Sequence, residues 1–107
     1  MDAKLEKIYV PMTETAFYIL FNLQKENHGY GITQAVEAQT GGDLQIAPGT
    51  MYGTLKKMED DGLIVFVRNE EKRKIYQITD LGREILAKEI RRIKRLYKNA
   101  MEDGYGS

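Results

Sequence analysis

The chain has 107 residues, 42% of them hydrophobic, with 16 basic and 16 acidic side chains and no cysteine. A length of this order supports one small domain whose core is only modestly stable alone, so help from a partner subunit is expected. The lack of cysteine removes disulfides, thiolate metal sites and cysteine nucleophiles and fits a reducing compartment; the charged start MDAKLEKIYVPMTE is unlike a signal peptide, and no apolar segment approaches the ~20 residues that span a bilayer, so a cytoplasmic protein with no membrane partner is expected.

In chain order, Thr13 can cap a first helix after Pro11, with Ala16, Phe17, Leu20 and Leu23 at helical spacing and a stop near Asn27. His28-Gly29-Tyr30-Gly31 reads as turn chemistry, and Ile32, Ala35 and Val36 mark a second short helix that ends at Gly41-Gly42. Leu44 and Ile46 alternate with polar neighbours, which suggests a brief extended segment before Pro48. Proline suits the first turn of a helix, so a third helix is expected from Pro48 to Asp61, with Met51, Leu55 and Met58 as its core stripe and Gly62 as its stop. Leu63 to Val67 and Arg73 to Ile78 read as two strands joined by the polar turn Asn69 to Lys72, with Tyr76 and Ile78 on one face. Thr79 then caps a long last helix in which Leu86, Ile90, Ile93, Tyr97 and Ala100 recur at coiled-coil spacing.

This order defines a mainly α fold with a small β-hairpin: a winged helix-turn-helix over residues 1–78, a dimerisation helix over 79–103 and a disordered tail over 104–107. The third helix carries the functional signal. A glycine inside a helix costs roughly 1 kcal/mol against alanine, yet Gly53 sits in the middle of this one, with Gly49 a turn earlier. In a winged helix-turn-helix this helix enters the DNA major groove, so bare glycines leave room for the duplex; close packing of Tyr30 or the second helix against Gly53 is the competing explanation. The outer face then offers Gly49, Thr50, Gly53, Thr54, Lys56 and Lys57, with Tyr52 at its edge, where hydroxyl and lysine groups can donate to phosphate. Tyr52 borders the core stripe and fits a packing role equally well. Lys56 and Lys57 also fit an ordinary solvated face. Arg68, Lys72, Arg73 and Lys74 bracket the hairpin tip and form a wing that touches the DNA backbone, weakened by the intervening Glu70 and Glu71.

Zero net charge argues mildly against a nucleic-acid partner. The distribution is uneven: residues 1–47 carry three basic and six acidic side chains, which leaves 13 of the 16 basic and ten of the 16 acidic in the second half. His28 is the only histidine, so no zinc set can be assembled, and the only serine, Ser107, lies at the very end; with no phosphate-binding glycine loop either, neither catalysis nor a cofactor is expected.

Three stretches, HGYGI at 28–32, PGTMYGTLKKMEDDGLI at 48–64 and RKIYQITDLG at 73–82, resemble the PadR family of bacterial transcriptional regulators in its short form with one C-terminal helix. The likeness runs over about residues 12–100. It implies a homodimer held by the first and last helices, that binds an inverted-repeat operator and represses, with an interface expected to include Phe17, Leu20, Leu86, Ile90, Ile93 and Tyr97. Some short members hold flat aromatic drugs between paired tryptophans at the dimer centre; the matching position here is Ile93, so weak or no binding of planar drugs by stacking is expected, and an unknown small-molecule inducer is left open. Arg91, Arg92, Lys94, Arg95 and Lys98 flank the stripe as a solvated face or as partners of Glu84, Glu89 and the other subunit's acids. The reading from a different class is a winged-helix module that binds protein and has lost DNA affinity. A metal-sensing winged helix is disfavoured by the missing ligands.

Overall fold

The computed structural model describes residues 3–104, and within them the order is α1 (Ala3–Tyr9), α2 (Glu14–Phe21), α3 (Gly29–Gln39), α4 (Pro48–Asp60), β1 (Ile64–Glu70), β2 (Arg73–Ile78) and α5 (Asp80–Glu102). The expected disordered tail falls, apart from Gly104, outside these residues. No helix among them is long and apolar enough to cross a membrane.

Local chemistry accounts for most of the boundaries. Thr13 caps α2 by accepting the Ala16 N–H at 3.0 Å. The helix ends at Phe21, well short of Asn27, because Asn22 turns its side-chain amide back onto the Tyr18 carbonyl. His28 to Gly31 is no free turn: His28 Nδ1 accepts the Gly31 N–H at 3.0 Å, so His28 is the N-cap and Gly29 to Gly31 form the first turn of α3. α3 and α4 stop in the same manner. Gly42 N–H reaches Glu37 O at 2.8 Å across Gly41 (φ +60°), and Leu63 N–H reaches Met58 O at 2.9 Å across Gly62 (φ +79°).

Leu44 to Ile46 forms no strand; Ile46 is buried in the core without ladder partners. The sheet is the antiparallel pair β1–β2, with Ile64 opposite Ile78, Phe66 opposite Tyr76, and an irregularity between Phe66 and Arg68. Its turn is two residues, Glu71 (φ +51°) and Lys72 (φ +66°), shorter than the four expected, because Asn69 and Glu70 pair with Lys74 and Arg73. A short third element comes from the α2–α3 connection. Asn27 and Tyr76 exchange both backbone hydrogen bonds, at 3.0 and 2.9 Å.

The core gathers Ile19, Leu20 and Leu23 from α2 and its end, Ile32 and Val36 from α3, Met51, Leu55 and Met58 from α4, Leu63, Ile64, Tyr76 and Ile78 from the hairpin region, and Ile85 and Leu86 from α5. The first turns of α5 thus belong to the winged body. Gly82 explains the spacing from Thr79: a β-carbon there would run into the Leu63 carbonyl and the Ile78 side chain. Thr79 Oγ1 closes the junction by accepting the Gly82 N–H at 3.1 Å and donating to the Gly62 carbonyl at 2.6 Å.

α1 has no counterpart among the elements expected from the sequence. It is held at long range, by Tyr9 donating to Asp61 Oδ2 at 2.8 Å and by Glu6 facing Lys88 at 3.0 Å.

Candidate nucleic-acid interface

α4 turns Met51, Leu55 and Met58 inward, so its opposite side carries Gly49, Gly53 and Lys56, with Tyr52 on one flank and Thr50 and Lys57 on the other, all exposed. Nothing lies within 4 Å of a β-carbon built at Gly49 or Gly53. No described part of the chain itself therefore packs against Gly53. Tyr52 is 75% exposed and does not pack in the core.

The cations around this face differ in how firmly they are held. Lys56 faces Asp60 at 3.5 Å with both side chains in water, an i,i+4 pair that gives way easily to a phosphate. Lys57 points to the α1 side. It lies 3.0 Å from Asp61 and 5.3 Å from the centre of the Tyr9 ring. Hydrogen bonds from Tyr9 and Lys57 hold the Asp61 carboxyl below its usual range, while burial and Asp61 push the Tyr9 phenol up, so the phenol stays a donor.

On the wing, Arg68 is not at the tip. It sits opposite Ile75 and is clamped by Glu26 at 2.8 Å and Glu70 at 2.9 Å, which raise its pKa above the usual guanidinium value and leave it a neutralised group. Lys72 occupies the tip and Lys74 is exposed beside it. Arg73 lies 4.9 Å from the Tyr30 ring centre, with Nη1 3.5 Å from His28 Nε2, so it joins the wing to the start of α3.

Of the residues expected at a dimer seam, Leu20 (0% exposed) and Leu86 (4%) are closed inside the protomer's own core. Periodicity marks an apolar stripe but not which neighbour covers it. Ile90, Ile93 and Tyr97 are exposed on α5, with Leu96 and Met101 beside them. Phe17 is half-buried and stacks on Phe21 at 5.6 Å. Glu89, expected as a partner of the flanking cations, takes the Arg92 fork at 2.7 and 2.8 Å; what the sequence reading missed is that it is 1% exposed and accepts the Met12 N–H at 3.1 Å. In the sequence it is one acid among many on a charged helix.

Helix-turn-helix from α2 to α4, a hairpin wing and an outward α4 define a winged helix-turn-helix protein. The chain belongs to the PadR-like family of transcriptional regulators, whose model matches residues 19–88. A transcriptional regulator of Mycobacterium tuberculosis is 32% identical over 79 residues, spanning 71% of each chain. The structure of Bacillus subtilis PadR in complex with operator DNA superposes with a TM-score of 0.64 at 28% identity, over 71% of this chain and 46% of that one. A PadR-like regulator from Bacillus cereus shares the fold, with a TM-score of 0.70 at 22% identity over 87% of this chain and 93% of that one.

Proposed function

We propose that this protein is a homodimeric repressor that binds an inverted-repeat operator through α4. The observation that carries the reading is the bare, unobstructed face at Gly49 and Gly53, flanked by Thr50, Tyr52 and Lys56. A close backbone approach needs such a face, and hydroxyl and ammonium groups beside it suit phosphate. Lys57, Lys72, Arg73 and Lys74 extend the contact along the backbone, while Arg68 supports the wing. The likeness to a PadR that was solved in complex with operator DNA supports DNA binding. Dimerisation is supported by the exposed apolar stripe of α5, since a stripe of this size left in water favours association.

The test is footprinting on the DNA upstream of the protein's own gene and its neighbours, followed by titration at several salt concentrations. Two protected half-sites are expected, in inverted repeat and roughly 10 base pairs or a multiple apart, with affinity that falls steeply as salt rises. The pairing of Lys56, Lys57 and Arg68 with acids favours a second reading, a protein-binding winged helix without DNA affinity. No protection, or binding indifferent to salt, would decide for it.

A further inference from the structure

Glu89 is a carboxylate sealed in the interior, and nothing in the DNA-facing surface uses it. Burying a charged pair is costly and often adds little stability, and such pairs are retained in some proteins because they select one arrangement. The contacts around Glu89 indicate which arrangement. Its Oε2 accepts the Met12 N–H at 3.1 Å, and Lys88 beside it in the chain holds Glu6 at 3.0 Å, so α5 grips the segment formed by α1 and the residues that lead into α2 at two points. The same segment grips α4 from its other side: Tyr9 donates to Asp61 at the end of α4, and Lys57 lies over the Tyr9 ring. α2 also packs between α4 and α5, but apolar packing is non-directional and tolerates sliding, whereas hydrogen bonds constrain direction.

We propose that the segment from Glu6 to Thr13 is a strut that fixes the attitude of α4 relative to α5, with Glu89 as its anchor and as a positioning residue for DNA recognition. On the stripe assigned to the partner, Ile90 follows Glu89 directly and Ile93 lies one turn further along α5. Dimerisation through that stripe therefore sets where the strut begins, and the strut sets where each α4 lies in its half-site. The geometry is independent of DNA; only its consequence rests on the DNA-binding reading.

Because the chain has no cysteine, labels at Glu59→Cys on α4 and Lys98→Cys on α5 report their separation alone. Spin-label distances are measured in labelled chains diluted into unlabelled protein, so that only pairs within one chain count. A narrow distribution is expected with Glu89 in place and a broadened or displaced one in Glu89→Gln. Ile85→Val, which trims the neighbouring core and removes none of the strut's hydrogen bonds, should lower the melting temperature and leave the distance unchanged. Should Glu89→Gln fail to fold, Arg92→Gln, which weakens the same anchor, replaces it with the same expectation. On the footprinted operator the unlabelled anchor variant should lose about tenfold in affinity, the scale of one charge-assisted hydrogen bond, and should tolerate altered half-site spacing. An unchanged distance distribution in a folded anchor variant overturns the strut, as does a change of equal size in Ile85→Val. A changed distribution in a protein that protects no DNA upholds the strut and overturns the DNA-binding reading instead.

Discussion

At Gly53 and Gly82 the same residue type does opposite work. Nothing meets a β-carbon at Gly53, whereas at Gly82 it would strike the Leu63 carbonyl. Gly53→Leu should therefore keep or slightly raise stability, by up to ~1 kcal/mol of helix propensity, while its side chain blocks entry into the groove and DNA affinity collapses. Gly82→Ala should lose stability by roughly 1–3 kcal/mol despite the better propensity, because the clash is with backbone that cannot yield cheaply. Thermal melts and DNA titrations on the two variants separate space kept for a ligand from space kept for packing. Lys56→Ala tests the charge on the same face. Its pair with Asp60 is exposed and contributes little to stability, so the fold should be unaffected; if Lys56 meets a phosphate, the slope of log affinity against log salt should flatten by about one unit for each phosphate no longer neutralised. An unaltered slope would return Lys56 to the solvated face.

Among the elements, the hairpin and α5 give the clearest expectations. The hairpin turn places Glu71 and Lys72 at φ +51° and +66°, in the left-handed region that costs a side-chain-bearing residue roughly 1 kcal/mol each. Replacing the pair by Asn-Gly, the preferred residues for such a turn, should raise the denaturation midpoint and leave the sheet register intact. For α5, exposure divides the apolar stripe into two parts. Leu86 at 4% belongs to the protomer, and Ile90 at 36% and Ile93 at 39% face outward. Aspartate at Ile90 and Ile93 together should yield folded monomers by sedimentation, whereas Leu86→Asp should unfold the domain, because a charge cannot be buried unpaired without a cost of several kcal/mol. A double variant that remains dimeric would show that the subunits meet elsewhere than on α5.

For the whole molecule, acid is the informative perturbation. The Arg92 fork holds the Glu89 carboxyl below its usual value of 4.5, and Tyr9 and Lys57 hold Asp61 below 3.8. Groups depressed on folding add stability that is fully present above their unfolded values and lost as the pH falls through their folded ones. Stability should thus be level down to about pH 5 and fall below about pH 4.5, with a shallower fall in Glu89→Gln measured by denaturation at each pH. Sequence alone was enough for the order of α2 to α5 and the hairpin, since apolar spacing, the caps Thr13 and Thr79 and the stops at Gly41 and Gly62 act within one turn of chain, but it ran α2 on to Asn27 and placed an extended segment at Leu44 to Ile46 that does not form. It also singled out Gly53, but whether DNA or a neighbouring segment lay against it was decided only by the open space found there. It held no sign of α1, whose seven residues are too few to hold a helix alone and depend on Asp61 and Lys88, 52 and 82 positions from their partners. Arg68 looked like a free wing cation because Glu26 lies 42 residues earlier, and Leu86 and Ile90 shared one stripe because spacing is blind to what covers it. Those points were settled by the folded chain: an ion pair or a buried face is a property of two segments brought together, and a local pattern can specify only one of them.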